Sequence, residues 1–132
     1  MMFRRFVALK VSMPALKKLI ALAVLGIAIS STLALAADRK VAVEQVSFGI
    51  DAAKNGLWRE ATYRWERAVE LDPGYAAAFN NLAVAYEQAG LLDKAKKAYQ
   101  KAAELDPHNT YIKQNIDLFK EINDSANRQN PR

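Results

Sequence analysis

The chain of 132 residues contains no cysteine and a single histidine, His108. The first absence excludes disulfides, thiolate catalysis, thiolate zinc sites and a lipid-bearing cysteine, while leaving an oxidising compartment open. The second removes the residue type that most often moves protons near neutral pH. His108 itself follows Pro107, where a solvated turn residue is expected. Glycine and proline are also sparse, at five and four. Four of them keep step: Gly56 with Gly90, and Pro73 with Pro107, the latter pair inside the triplets Leu71-Asp72-Pro73 and Leu105-Asp106-Pro107. Punctuation this regular indicates a repeat.

Acidic residues are missing from residues 1–36, which hold Arg4, Arg5, Lys10, Lys17 and Lys18. The net charge of +5 therefore belongs to this leader, and the other 14 Lys and Arg balance the 14 Asp and Glu. A nucleic-acid partner is not expected, because the remaining charges alternate in sign and no basic surface interleaved with aromatics emerges. Glu66, Glu70, Glu104 and Asp106 lie among Lys and Arg on helices, as exposed pairs do, so they do not read as a general acid–base couple. The expectation is a non-enzyme with no cofactor and no metal.

What is present is helical periodicity. Over 76–109, Ala78, Phe79, Leu82, Ala83, Ala85 and Tyr86 recur at three- and four-residue spacing, making one apolar face. Gly90 supplies the left-handed residue that ends such a helix. Leu92, Ala95, Ala98, Tyr99, Ala102 and Leu105 repeat the pattern until Pro107 stops it. This predicts an αα-hairpin with small alanines at the crossing and aromatics beside them. The order Phe79-x2-Leu82-Ala83-x2-Tyr86, then Ala95-x3-Tyr99, Ala102 and Pro107 resembles the tetratricopeptide repeat. Stepping back by that family's length of about 34 residues finds Gly56, Ala61, Trp65, Ala68 and Pro73 in phase. Gln45 and Ala52 stand where the first copy would carry large aromatics, so its inner packing is expected to be smaller. The resemblance implies an all-α, αα-hairpin solenoid with repeats at 42–75 and 76–109.

Residues 1–36 read as a signal peptide: a basic start, the apolar run Leu19 to Ile29, then small residues ending Ala34-Leu35-Ala36, with cleavage before Ala37. The alternative is an uncleaved membrane anchor over 19–37. Either places the repeat domain, 37–123, outside the cytoplasm, periplasmic or secreted, with membrane contact only through a retained leader. Within it the first helix is expected to begin at Asp38, and a capping helix is expected at 110–123, started by Asn109 or Thr110. Residues 124–132 have no apolar side chain larger than alanine and are expected to be a disordered tail.

In the resembled fold the first helix of each repeat and the cap form a concave face. The candidate groove residues there are Val43, Val46 and Ile50 from the first helix, with Ala53 on the same row. Asn80, Asn81, Val84 and Glu87 follow in the second repeat, and Tyr111, Asn115 and Leu118 in the cap. Asn81 is suited to hold a peptide backbone, since an amide both donates and accepts. The resemblance implies a protein or peptide partner bound without bond chemistry, and the leader places that binding in the bacterial cell envelope. Capture of a C-terminal carboxylate is not expected, because Asn81 alone stands at a position the family uses for it. Trp58 and Trp65 are expected to be core, inward with Ala61 and Ala68. The competing expectation is a self-associating structural component, a homo-oligomer that buries the Val43/Val46/Ile50 row.

Overall fold

A computed structural model describes residues 13–129. Arg4, Arg5 and Lys10 of the leader, and residues 130–132 of the expected tail, lie outside the described residues. Among the described residues five α-helices occur: α1 (Met13–Lys54), α2 (Trp58–Leu71), α3 (Ala76–Gln88), α4 (Leu92–Leu105) and α5 (Thr110–Gln129). The chain divides into two units, 1–35 and 36–132.

In the first unit the described residues belong to α1, and Leu19, Ile20, Leu22, Val24, Leu25 and Ile27 are all exposed. Among the described residues no helix is long and apolar enough to cross a membrane.

The second unit is the helical repeat. α1 ends in a left-handed glycine, Gly56 at φ 75°, and α3 does the same with Gly90 at φ 70°. Both ends are closed alike. The Gly56 N–H donates to the Ala53 carbonyl and the Leu57 N–H to that of Ala52, at 2.9 Å each. The Gly90 and Leu91 N–H groups donate to Glu87 and Tyr86 at 2.9 and 2.8 Å. This double closure satisfies carbonyls the helix leaves open, and a side chain at either glycine would strain the backbone. The Leu-Asp-Pro triplets end α2 and α4. Asp72 accepts from the Gly74 N–H at 2.9 Å, shaping the turn, and is held by an ion pair with Arg39, whose guanidinium also lies over the Tyr75 ring. Asn109 caps α5, its Oδ1 accepting from the Tyr111 and Ile112 N–H groups at 3.1 and 3.2 Å.

α2 packs on α3, α3 on α4, and α5 on both α4 and α3. Two apolar cores result. One gathers Ala42, Val46, Ala52, Ala61, Trp65, Ala68, Ala78, Leu82 and Ala85, and the other Ala83, Ala95, Ala98, Tyr99 and Phe119. Alanine at the crossings is what lets the backbones approach.

Three expectations on element bounds and facing are corrected. α1 does not begin at Asp38, because nothing between Met13 and Lys54 breaks a helix: the only proline is Pro14, in the first turn, where it is tolerated. α5 continues past residue 123 to Gln129, since Asp124-Ser-Ala-Asn-Arg-Gln is polar yet free of glycine and proline until Pro131. Leu92, expected to face inward, is 45% exposed at the first position of α4.

Candidate functional site

The concave side of the second unit holds a hollow of about 330 Å³. Its walls are Ile50, Ala53 and Lys54 of α1, Trp58 and an edge of Trp65 from α2, Asn81 and Val84 of α3, and Tyr111 of α5. Four of the candidate residues, Ile50, Asn81, Val84 and Tyr111, are thus brought together from three helices. Ile50 and Tyr111 are exposed, Asn81 and Val84 half-buried. Val43 and Leu118 are exposed but do not line the hollow.

The rest of the candidate set is redirected. Val46 is core, 6% exposed. The reason lies one turn on, at Gly49: a Cβ there would stand 2.3 Å from the indole nitrogen of Trp65, so the missing side chain lets that ring sink against α1. The indole N–H donates to the Val46 carbonyl at 3.2 Å, and the ring covers the residue. Asn80 is likewise interior, 2% exposed, and its Oδ1 accepts from the Asn115 amide at 3.0 Å. This bond commits one amide of α3 and one of α5 to each other. Glu87 faces α4 instead of the groove and accepts from the Tyr99 hydroxyl at 2.5 Å.

That leaves Asn81 as the amide available to a ligand. Its Oδ1 receives only a long contact of 3.5 Å from Asn80. The residues that sequence reasoning missed are Lys54 and Trp58. Trp58 is half-buried at the first position of α2 and is shared with a larger hollow of about 800 Å³ walled by Gly56 to Glu60 alone. One stretch of chain cannot clasp a ligand from two sides, so the smaller hollow, walled by four helices, is the better site. The signal for Trp58 was its place in the opening turn after a left-handed glycine, where the repeat-equivalent Leu92 is also uncovered.

Two phenols carry shifted ionisation. Burial, together with the hydrogen bond from its hydroxyl to Glu66 at 3.1 Å and that carboxylate's charge, pushes Tyr86 up to about 12. Burial, then the bond to Glu87 and its charge, push Tyr99 well up as well. Both are structural bonds, Tyr86–Glu66 joining α3 to α2 and Tyr99–Glu87 joining α4 to α3. Among the described residues no group of His, Cys, Asp or Glu is placed to hold a metal ion.

Residues 76–109 match the sequence model of the tetratricopeptide repeat. The chain is also 30% identical over 84 residues, 64% of its length, to the tetratricopeptide repeat domain-containing protein PYG7, chloroplastic, of Arabidopsis thaliana. It spans about 28% of the length of that relative. Hairpin geometry, period and family match coincide on α3 and α4: the described residues form an all-α helical-repeat fold in which residues 76–109 are similar to the tetratricopeptide repeat.

Proposed function

We propose that this protein is an interaction module whose concave hollow takes a peptide segment of a protein partner. Tetratricopeptide repeat domains generally mediate protein–protein interaction and are typically non-enzymatic scaffolds. The observation that carries the finer reading is the convergence of Ile50, Val84, Trp58 and Tyr111 around Asn81. An apolar side chain enters a pocket of that lining, while the Asn81 amide holds the adjacent backbone. Co-purification from the envelope fraction, compared between the native chain and an Asn81→Ala/Ile50→Ser variant of unchanged melting temperature, tests it. Equal recovery of partners by both proteins overturns the reading.

The sequence of the leader supports removal before Ala37 and action of the domain outside the cytoplasm, in the bacterial envelope. N-terminal sequencing of the protein recovered from that compartment checks this, and a retained leader overturns it.

Self-association is a second reading, now on different residues. With Val46 in the core, the Val43/Val46/Ile50 row is interrupted. Phe48 and Tyr63 are exposed at the open edge of α1 and α2, with the Arg64 guanidinium lying over both rings. Sedimentation that depends on concentration, and ceases to do so in Phe48→Ser/Tyr63→Ser, would favour it.

A further inference from the structure

At the far end of the array, α4 and α5 enclose a cleft distinct from the concave hollow. Lys96, Tyr99, Gln100 and Ala103 of α4 and Ile116, Phe119 and Lys120 of α5 surround about 350 Å³. A second hollow of about 340 Å³ continues it along Leu92 and Asp93 to Asn123 and Asp124. The floor is apolar, and Tyr99 and Phe119 meet there with ring centroids 5.4 Å apart. The rim of the first hollow carries Lys96 and Lys120 and no acid.

Comparison with the interior of the array shows what is unusual about this rim. The same furrow one repeat earlier lies between α2 and α3, where Tyr86 stands in the place of Lys120 and Glu66 in that of Gln100. There the Tyr86 hydroxyl meets the Glu66 carboxylate at 3.1 Å. At the end of the array a lysine has replaced the phenol, and the acid is replaced by a neutral amide. Lys96 and Lys120 form no ion pair among the described residues, whereas Arg39, Lys54, Arg64, Arg67 and Lys101 each do. The cleft is thus an apolar furrow whose Ala103 end bears Lys96 and Lys120 as its only charges, while toward Leu92 the rim also carries Asp93 and Asp124. From Leu92 to Ala103 it follows α4 for about 16 Å at the helical rise, the length of three helical turns. A furrow between two packed helices receives a third by its apolar stripe.

We propose that the α4–α5 cleft docks an amphipathic helix of a protein partner, one that carries carboxylates beside its apolar stripe. The stripe covers Ile116, Phe119 and Ala103, and the carboxylates pair with Lys96 and Lys120. This surface is independent of the concave hollow, so the two can be separated by mutation.

The test titrates the full chain with two synthetic helical peptides sharing one leucine stripe, flanked by Glu in the first and by Lys in the second. The Glu-flanked peptide is expected to bind, and to bind more weakly as salt is raised. In Lys96→Glu/Lys120→Glu its affinity falls on the order of tenfold and the preference turns to the Lys-flanked peptide. Ile50→Ser, in the concave hollow and away from the Tyr99 and Phe119 rings, leaves both affinities unchanged. Absence of binding, equal binding of the two peptides, or insensitivity to the charge reversal overturns the proposal. So does loss of binding in Ile50→Ser, which moves the peptide to the concave hollow, and so does a dimer of the full chain that dissociates in the charge-reversed variant. If that variant melts early, the salt dependence and peptide preference of the native chain decide the matter alone.

Discussion

The two hairpins of the array solve one packing problem with different residues. Where α1 crosses α2, Gly49 faces Trp65; where α3 crosses α4, at the equivalent place, Ala83 faces Tyr99. Each pair sets one very small residue against one large aromatic, and the smaller alternative goes with the larger ring. Each ring also ends in a hydrogen bond across the crossing, the indole to the Val46 carbonyl and the phenol to Glu87. What the repeat maintains is the summed volume of the pair and a polar tether at its rim. The hairpins differ most at their outer positions. Leu82 is 5% exposed between the repeats, while its counterpart Phe48 is 55% exposed at the open edge.

That last difference gives the largest expected effect. Leu82→Ala removes a core side chain and should cost about 2–5 kcal/mol, whereas Phe48→Ala should change stability by less than about 0.5 kcal/mol. Urea unfolding of both variants measures this, and equal losses would mean that Phe48 is covered in solution. Next comes Gly49→Ala, expected to cost about 1–3 kcal/mol by driving a methyl group into the Trp65 ring. Adding Trp65→Tyr transplants the pair found in the second hairpin and should recover part of that loss, giving a non-zero coupling in a double-mutant cycle.

A smaller effect separates the tethers. Tyr99→Phe removes the bond to Glu87 and should cost about 1 kcal/mol at neutral pH. The native phenols titrate above the unfolded value of about 10, so the folded state keeps protons that the unfolded chain gives up. Their contribution is complete below about pH 10 and is lost as pH rises, through about 12 in the case of Tyr86. Midpoints of urea unfolding followed into the alkaline range should fall less steeply in Tyr99→Phe, and less steeply again once Tyr86→Phe is added. The smallest change is expected at Ile50→Ser and Leu118→Ser, within about 0.5 kcal/mol of the native protein. Val46→Ser, one turn from Ile50 on the same helix, should destabilise clearly, and thermal melts of the three variants compare them directly.

Much of the fold was legible because its period is written in residues with special backbones. Gly56 and Gly90 adopt the left-handed conformation, and Asp72 and Asp106 sit in their turns as the spacing predicts. The site was legible only in part. A helical row is assigned by spacing, and a rotation of one residue exchanges its inner and outer members. In α1 that rotation is fixed by a residue with no side chain, Gly49, whose emptiness admits Trp65 and buries Val46. Periodic patterns record the side chains that are there and are silent about the space left by those that are not. The ends of α1 and α5 were misplaced for a related reason: polarity and leader-like composition say nothing against a helix when no proline interrupts its interior.

The buried amide pair has a consequence for how the last helix finds its place. α5 is amphipathic along its length, and an apolar face of that kind can be laid on α3 and α4 in more than one register, each a turn apart. A slide of one turn, however, would leave the Asn80 Oδ1 without the Asn115 donor in a position water does not reach. Such an orphaned acceptor costs about 1–3 kcal/mol, so the pair works as a key that rejects misaligned dockings. An apolar pair of equal size would hold the helix as well and discriminate less.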